Sequence, residues 1–315
     1  MLFRSNDTAT TEIYTLSYTL SLHDALPISG GADSLVGGTG NDTLIGDSGS
    51  AFSSSTTTLF EGGPVFRSGD ILGGADSLVG GDGDDILIGD FKTAETYAGG
   101  DVKYDSLSYS GDIIGGDDTL DGGAGADTLI GDTVTAHTET RASAIFKDAV
   151  AISGDIIGGD DVLRGGAGND TLIGDSGSAS SQASAYASYG YYYQTAEAGQ
   201  IIGGADILEG GAGDDQMWGD NRDGSGVGGD DTFVFVNGEG GTDVIWDFEG
   251  AGTAGGDVIE AHGFTGGTIT TFTGVSTING VSYDTPLSGA LITADGQQIY
   301  VIGATDLDAG DIVFV

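Results

Sequence analysis

Apolar residues in the middle of this chain recur at two nested spacings, and neither is the spacing of an amphipathic helix. Leu44, Leu87, Leu129, Leu172 and Met217 stand 42 to 45 residues apart. Nine residues before each of them lies another leucine, at Leu35, Leu78, Leu120, Leu163 and Leu208. Glycine pairs separate the two, and in a helix each glycine would cost about 1 kcal/mol relative to alanine. The pattern therefore predicts short strands joined by tight turns, repeated along the chain.

The residues between these apolar positions are nearly the same in five segments. The segments are GGADSLVGGTGNDTLIGD from Gly30, GGADSLVGGDGDDILIGD from Gly73, GGDDTLDGGAGADTLIGD from Gly115, GGDDVLRGGAGNDTLIGD from Gly158 and GGADILEGGAGDDQMWGD from Gly203. A partial sixth copy, GGDDTFVF, begins at Gly228. Self-similarity at a fixed long period is typical of solenoids, in which each repeat packs against its neighbours.

The charge of the chain limits how such a solenoid can be stable. There are 40 Asp against 9 Glu, and the formal net charge is −41. Self-repulsion of this size destabilises a compact state, so the chain either stays disordered or binds cations that cancel the charge. Apolar residues in a fixed register with the aspartates favour bound cations. The acidity argues against nucleic acid and anionic membranes as partners.

Composition excludes two further classes of structure. The chain has no cysteine, so neither disulfides nor zinc-thiolate sites can stabilise it. No apolar run approaches the 18 or more residues of a transmembrane helix.

The repeat matches the nonapeptide G-G-x-G-x-D-x-U-x, where U is a large apolar residue, and over roughly residues 30–235 the chain resembles the RTX family. The resemblance implies an all-β fold, a right-handed parallel β-roll, which binds several Ca²⁺ ions between successive turns and is secreted. Calcium takes six to eight oxygen ligands at about 2.3–2.6 Å in flexible geometry. Glycine permits positive φ, which lets turn carbonyls point inward, while aspartate adds a carboxylate on a short stem.

The candidate calcium ligands fall into four groups. The sixth-position carboxylates are Asp42, Asp85, Asp127, Asp170 and Asp215, and the turn glycines beside them are Gly38, Gly40, Gly81, Gly83, Gly123, Gly125, Gly166, Gly168, Gly211 and Gly213. The turn before each is shortened to G-G-x-D, giving Asp33, Asp76, Asp118, Asp161, Asp206 and Asp231. Each segment ends in Gly-Asp, giving Asp47, Asp90, Asp132, Asp175 and Asp220.

Two questions about these ligands stay open at the level of sequence. The G-G-x-D turn is two residues shorter than the family pattern, so its sites are either incomplete or differently built. The aspartates could also serve only to stabilise turns through side-chain to backbone hydrogen bonds.

Inserts of 21 to 24 residues separate the repeats: Ser48–Gly69, Phe91–Gly111, Thr133–Gly154 and Ser176–Gly199. They alternate in the manner of strands, and we expect hairpins, or long extensions of the strands of the coil, projecting on one side. The last insert carries Tyr189 and Tyr191 to Tyr193, which either pack along a hairpin or bind a glycan or protein partner.

The two ends of the chain differ from the repeats. Residues 1–29 resemble a translated sequencing adapter, with a native, poorly ordered lead-in as the alternative, so we leave them out of the fold argument. If they are an adapter, the native chain was cut near Gly30, which leaves room for a domain upstream. Residues 236–315 resemble the C-terminal capping segment of serralysin-like proteins, and the tail from Gly289 resembles that of type I secretion substrates. This implies a capping domain and export by a type I secretion apparatus. Strand parity predicts that Val244, Trp246 and Phe248 share the buried face.

No catalytic constellation is present in the sequence. GDSGS at Gly46 and Gly174 resembles serine-protease text, but it is the ordinary end of a repeat, and HExxH is absent. Three functions remain: a structural, adhesion or export module; the C-terminal part of a secreted enzyme; or, with less support, a glycan- or ice-binding solenoid.

Overall fold

Residues 42 to 45 positions apart lie above one another in a β-solenoid, because each coil pairs strand by strand with the next. The computed structural model describes residues 28–59, 65–188, 193–249, 256–307 and 311–315. Among these residues there are strands and turns but no helix, and therefore no helix that could cross a membrane. The expected adapter-like segment, apart from Ile28 and Ser29, and Tyr189, Tyr191 and Tyr192 lie outside the described residues.

Four successive coils contribute five strands each, in the same order. The first has β1 (Ile28–Ser29), β2 (Ser34–Thr39), β3 (Thr43–Ile45), β4 (Ala51–Leu59) and β5 (Val65–Arg67). The second has β6 (Ile71–Leu72), β7 (Ser77–Asp82), β8 (Ile86–Ile88), β9 (Thr93–Val102) and β10 (Ser106–Tyr109). The third has β11 (Ile113–Ile114), β12 (Thr119–Ala124), β13 (Thr128–Ile130), β14 (Thr135–Ala144) and β15 (Ala149–Ile152). The fourth has β16 (Ile156–Ile157), β17 (Val162–Ala167), β18 (Thr171–Ile173), β19 (Ala179–Ala187) and β20 (Gln194–Glu197).

The remaining strands form shorter coils and a C-terminal hairpin. They are β21 (Ile201–Ile202), β22 (Ile207–Ala212), β23 (Gln216–Trp218), β24 (Thr232–Val236), β25 (Thr242–Ile245), β26 (Val258–His262), β27 (Thr268–Ile278), β28 (Val281–Ala294), β29 (Gln297–Ile302) and β30 (Ile312–Phe314).

Equivalent strands of successive coils form five sheets, named here I to V in the order in which a coil visits them. Sheet I runs β1-β6-β11-β16-β21, sheet II runs β2-β7-β12-β17-β22-β24-β26-β30, and sheet III begins β3-β8-β13-β18-β23-β25-β29. Sheet IV is β4-β9-β14-β19 and sheet V is β5-β10-β15-β20. Pairing between coils is parallel, as in Leu44 with Leu87. The predicted all-β parallel roll is confirmed.

The inserts are not hairpins, and that part of the prediction was wrong. Strands β9 and β14 pair in parallel over ten residues, from Thr93 with Thr135 to Val102 with Ala144. The alternative expectation, that inserts extend the strands of the coil, describes sheets IV and V. The physical reason is the constant period: because the inserts are nearly equal in length, each strand meets its equivalent in the next coil before it can pair within its own insert.

Each coil therefore has two lobes. The calcium-side lobe comprises sheets II and III, and its core is a stack of fully buried leucines that includes Leu78, Leu120 and Leu163. Burying such a side chain contributes about 1.5–3 kcal/mol. The insert lobe comprises sheets IV and V, and its interior holds small side chains such as Ala142 and Ala151, each no more than 1% exposed.

Hydrogen bonds between buried hydroxyls and backbone join sheet IV to the corner that follows sheet V. Thr96 Oγ1 donates to the Gly111 carbonyl at 2.8 Å, and Thr138 Oγ1 donates to the Gly154 carbonyl at 2.9 Å. Short side chains let the two sheets approach closely, and these bonds satisfy polar groups that would otherwise be buried without a partner.

Sheets II and III continue into the C-terminal region without a break in the core. Leu208 pairs with Phe233, and Phe233 with Ile259. The tail from Gly289 contains a hairpin: β28 and β29 pair antiparallel around Asp295, whose φ is 48°, and Gly296. Two-residue turns with positive φ match the twist of hairpin strands.

The predicted parity of the segment after β24 was wrong for Trp246 and Ile245, whereas Val244 and Phe248 are buried as predicted. Ile245 pairs with Met217 and lies in the core at 0% exposure, whereas Trp246 stacks on Trp218 outside it, with ring centroids 5.5 Å apart. Val244 is buried because the hairpin tip at Ile278 and Val281 covers the outer face of sheet III. Parity alone could not show that both faces of this strand are covered.

The packing of the insert lobe predicts a position-specific response to size. Ala142→Leu should lower the free energy of unfolding by about 1–3 kcal/mol, because the interior between sheets IV and V has no room for a larger side chain. Arg141→Leu, next to it on the exposed face, is the matched control and should have little effect. Urea unfolding at saturating calcium measures both, and equal effects would contradict two packed sheets.

Candidate metal centre

The sixth-position aspartates stand above one another at the corner between sheets II and III, and are called the nonapeptide row: Asp42, Asp85, Asp127, Asp170 and Asp215. The turn before each contains two glycines with positive φ, from 94° at Gly211 to 146° at Gly168. All ten turn glycines singled out in the sequence share this conformation. L-residues with a side chain rarely adopt it, so glycine is required here.

Each aspartate of the nonapeptide row uses its two carboxylate oxygens differently. In every member after Asp42, Oδ1 accepts a hydrogen bond from the backbone N–H of the equivalent aspartate one coil earlier, at 2.7 Å from Asp42 to Asp85 and 2.9 Å from Asp170 to Asp215. Oδ2 is buried in all five and has no hydrogen-bond partner in the described part of the chain. Turn stabilisation explains the first oxygen but leaves the second unexplained.

The G-G-x-D and Gly-Asp residues, predicted as separate groups, come together in a second row. The 18-residue segment closes on itself, so that its first turn meets its end: Gly31 N–H donates to Asp47 Oδ1 at 3.1 Å. This closure lies between the two lobes, and its aspartates are called the neck row. They are Asp33, Asp47, Asp76, Asp90, Asp118, Asp132, Asp161, Asp175, Asp206, Asp220 and Asp231.

The neck row brings three carboxylates together at a time. Oxygens of Asp33, Asp47 and Asp76 lie within 4.8 Å of one another, as do those of Asp76, Asp90 and Asp118. As in the nonapeptide row, Asp76 N–H donates to Asp118 Oδ1, at 2.6 Å. Buried carboxylate oxygens again lack a hydrogen-bond partner among the described residues, at Asp76, Asp90, Asp118, Asp161, Asp175, Asp206 and Asp231.

Glycine keeps space open beside the neck carboxylates. A Cβ on Gly89 would overlap the carbonyl oxygen of Gly131 and the Asp118 carboxylate. The groups that converge at this point, and at its equivalents in the other coils, are thus carboxylate and backbone carbonyl oxygens. An all-oxygen donor set with more than one carboxylate suits Ca²⁺, and its burial between stacked coils leaves little room for the water shell that Mg²⁺ retains.

Burial makes these carboxylates hard to ionise without a cation. Desolvation raises the pKa of Asp118 to about 9 and that of Asp76 to about 7. In the nonapeptide row, desolvation raises the pKa of Asp170 and of Asp215 to about 7. The pKa of the fully buried Asp206 is also raised, first by desolvation and then by the charges of Asp175 and Asp231.

Other aspartates form hydrogen bonds from coil to coil along the solenoid, but they do not form a cluster of buried, unpaired oxygens. Asp84 Oδ1 accepts from Ala126 N–H at 2.9 Å, and Asp112 Oδ1 accepts from Asp155 N–H at 2.8 Å. Asp84 is exposed and Asp112 half-buried, and neither has a buried oxygen without a hydrogen-bond partner. For these residues, turn stabilisation is a sufficient explanation.

Three aspartates that continue the rows were missed as site residues: Asp243 above Asp215, Asp257 above Asp231, and Asp247 near Asp220. Asp243 could have been found, because Asp243-Val244-Ile245 repeats the D-x-U spacing of the nonapeptide. Asp257 could have been found in the same way, because Asp257-Val258-Ile259 repeats this spacing, whereas Asp247 has no equivalent spacing in the sequence.

Comparison with known families identifies the same segments that build both rows. The family model described as RTX calcium-binding nonapeptide repeat (4 copies) matches residues 28–50, 72–91, 115–133, 158–178 and 203–221. No curated protein matches the chain. The fold and the two rows define a calcium-binding β-solenoid of glycine- and aspartate-rich repeats. These five segments are RTX calcium-binding nonapeptide repeats, and they bind Ca²⁺.

The raised pKa values predict how the calcium-free chain responds to acid. Folded-state pKa values of about 7 to 9 lie above the ordinary 3.8, so the metal-free roll is favoured below about pH 4 and loses stability as pH rises through 7 and 9. In chelator, circular dichroism should show more β-structure at pH 4 than at pH 8. Sedimentation must show that the acid form is monomeric, and equal spectra at both pH values would contradict the prediction.

Substitution of Gly89 tests whether the space beside the neck-row carboxylates is needed for calcium binding. Gly89→Ala should raise the calcium concentration at the folding midpoint at least about tenfold, because the new methyl group overlaps a backbone carbonyl that cannot move freely. Gly49→Ala is the matched control, since a Cβ there meets no atom within 4 Å. Titration of both variants with calcium gives the midpoints, and a shared midpoint would show that no ligand site is blocked.

Proposed function

We propose that this chain is a secreted structural and adhesion module that is exported unfolded by a type I secretion apparatus and folds on Ca²⁺ outside the cell. The main support for the proposal is that both rows contain buried carboxylate oxygens with no hydrogen-bond partner among the residues that the structure describes. A compact state with these oxygens charged and uncompensated is unstable, so metal binding becomes part of the folding free energy.

The calcium concentration on the two sides of a membrane then sets the state of the chain. Extracellular calcium modules typically bind with Kd of about 10⁻⁴–10⁻³ M, far above the concentrations at which intracellular sensors respond. The chain would remain unfolded where calcium is scarce and fold after export. RTX repeat proteins are typically secreted, and the resemblance of residues 236–315 to type I substrates supports the same route.

The insert lobe supplies the surface for a protein or glycan partner. Aromatic side chains are exposed around the turn between sheets IV and V, at Tyr104, Phe146, Tyr186 and Tyr193, and Tyr193 is 80% exposed. Tyrosine is enriched at recognition surfaces. We therefore assign adhesion to this end of the lobe.

Two alternatives receive less support. The ice-binding alternative needs a regular ladder of threonines, but the outward column of sheet IV holds Phe52, Glu95, His137 and Ser180. The RTX repeats themselves are structural and bind calcium rather than catalyse a reaction. The alternative of a secreted enzyme depends on a domain upstream.

Calcium titration of the full chain tests the proposal. Circular dichroism and gel filtration should show an expanded coil in EGTA and a compact β-protein at millimolar Ca²⁺, because the rows need cations to fold. Mg²⁺ at the same concentration is the matched control and should not restore the fold, since it keeps its water shell. A spectrum that is the same in EGTA and in Ca²⁺ would reject calcium-dependent folding and the export argument built on it.

A further inference from the structure

We propose that the calcium ions of the nonapeptide row end at Asp215, and that the side-chain amide of Gln297 takes the place of an ion on the next carboxylate, Asp243. The inference rests on the proposed calcium-binding function. It assigns a role to a residue of the C-terminal hairpin that the repeats do not contain, and it states where metal binding stops.

Asp243 differs from the five aspartates below it in one respect. Its Oδ1 accepts from Asp215 N–H at 3.2 Å, which continues the ladder of the row. Its Oδ2, however, accepts a hydrogen bond from Gln297 Nε2 at 2.9 Å. Asp243 is 1% exposed and Gln297 is 4% exposed, so this bond forms out of contact with water. In every lower member of the row, the equivalent oxygen has no donor within the ranges that the structure describes.

The fold delivers Gln297 to this place by a change of strand direction. The turn at Asp295 and Gly296 ends β28 and begins β29, which returns parallel to β25 with Asp243 opposite Ile299. Gln297 is thereby the first residue of the strand that adds to sheet III after Asp243. Its Oε1 is buried with no hydrogen-bond partner among the described residues, so within that part of the chain the bond to Asp243 orients the amide.

The neck row ends in the same way, which is an independent observation. Asp257 Oδ1 accepts from Asp231 N–H at 3.0 Å, and its Oδ2 accepts from Glu249 N–H at 2.7 Å. Asp247 accepts from the backbone N–H groups of Gly219 and Asp220, at 3.0 and 3.1 Å. At Asp243 and Asp257, protein N–H groups occupy the oxygen whose equivalent in Asp215 and Asp231 has no donor among the described residues. Asp247 alone does not mark an end, because Asp47 at the start of the row also accepts two backbone N–H groups.

Neutralising single aspartates in the full chain tests the inference. Asp243→Asn keeps Oδ1 for the Asp215 N–H, and the Gln297 amide can turn to accept from the new Nδ2, so the variant should fold. It should bind as many calcium ions per chain as the unmodified protein, measured by elemental mass spectrometry after gel filtration in Ca²⁺. Asp215→Asn should bind one ion fewer.

The outcomes separate this inference from the proposed function. Loss of one ion in Asp243→Asn would make Asp243 a ligand and overturn the inference, while the calcium function would stand. An unchanged count in Asp215→Asn would instead remove the nonapeptide row as a metal site, and the inference with it.

A second variant tests the amide itself. Gln297→Leu should keep the ion count and lower the melting temperature at saturating calcium by at least about 2 °C, because it leaves a buried carboxylate oxygen unpaired. Gln298→Leu on the opposite side of the strand is the control. Loss of an ion in Gln297→Leu would show that Gln297 is itself a ligand, and an unchanged melting temperature would show that its amide does not support Asp243. Either result would overturn the inference.

Discussion

The structure depends on the two carboxylate oxygens of each aspartate in the nonapeptide row having different roles. One oxygen accepts the backbone N–H of the coil below and so fixes the register of the stack, as between Asp85 and Asp127 at 2.7 Å. In the nonapeptide row, the other oxygen has no hydrogen-bond donor in the described part of the chain and is available to a cation. Asparagine could perform the first task but would weaken the second, because it carries no charge. This dual demand explains why aspartate rather than a neutral turn former recurs at these positions.

The size of the charge repulsion between neighbouring coils shows why burial of the leucine core alone cannot stabilise the stack. Strands of neighbouring coils lie about 4.8 Å apart, and two unit charges at that distance repel by about 3–4 kcal/mol at an effective dielectric constant near 20. If all the carboxylates of both rows were ionised without a cation, this repulsion would exceed the net stability of about 5–15 kcal/mol that a domain typically has. The leucine core supplies the shape of the calcium-side lobe. Whether the folded state forms depends on neutralisation of the aspartate carboxylates.

The sequence was sufficient to predict the features that follow from the repeat spacing. It was not sufficient to predict contacts between residues that meet only when each coil closes. The strands, the turn glycines with positive φ and the aspartates of the nonapeptide row all follow from spacings of nine and about 43 residues. The meeting of Asp47 with Asp33 and Asp76 does not, because they belong to different turns and touch only when the 18-residue lobe closes. Likewise, the burial of Val244 depends on a hairpin that begins more than twenty residues later. Local spacing carries no information about that cover.

The insert lobe shows how a calcium-dependent scaffold can carry a variable surface. Along sheet IV, the inward column keeps small hydroxyl side chains, Ser53, Thr96, Thr138 and Ser181, which bond across the lobe or fit its narrow interior. The outward column beside it changes from Phe52 to Glu95, His137 and Ser180 without disturbing the register. Because the register is fixed by the period and by the neck row, the exposed residues are free to differ from coil to coil. A chain built this way can vary its exposed residues while the aspartates and glycines at the corners stay the same.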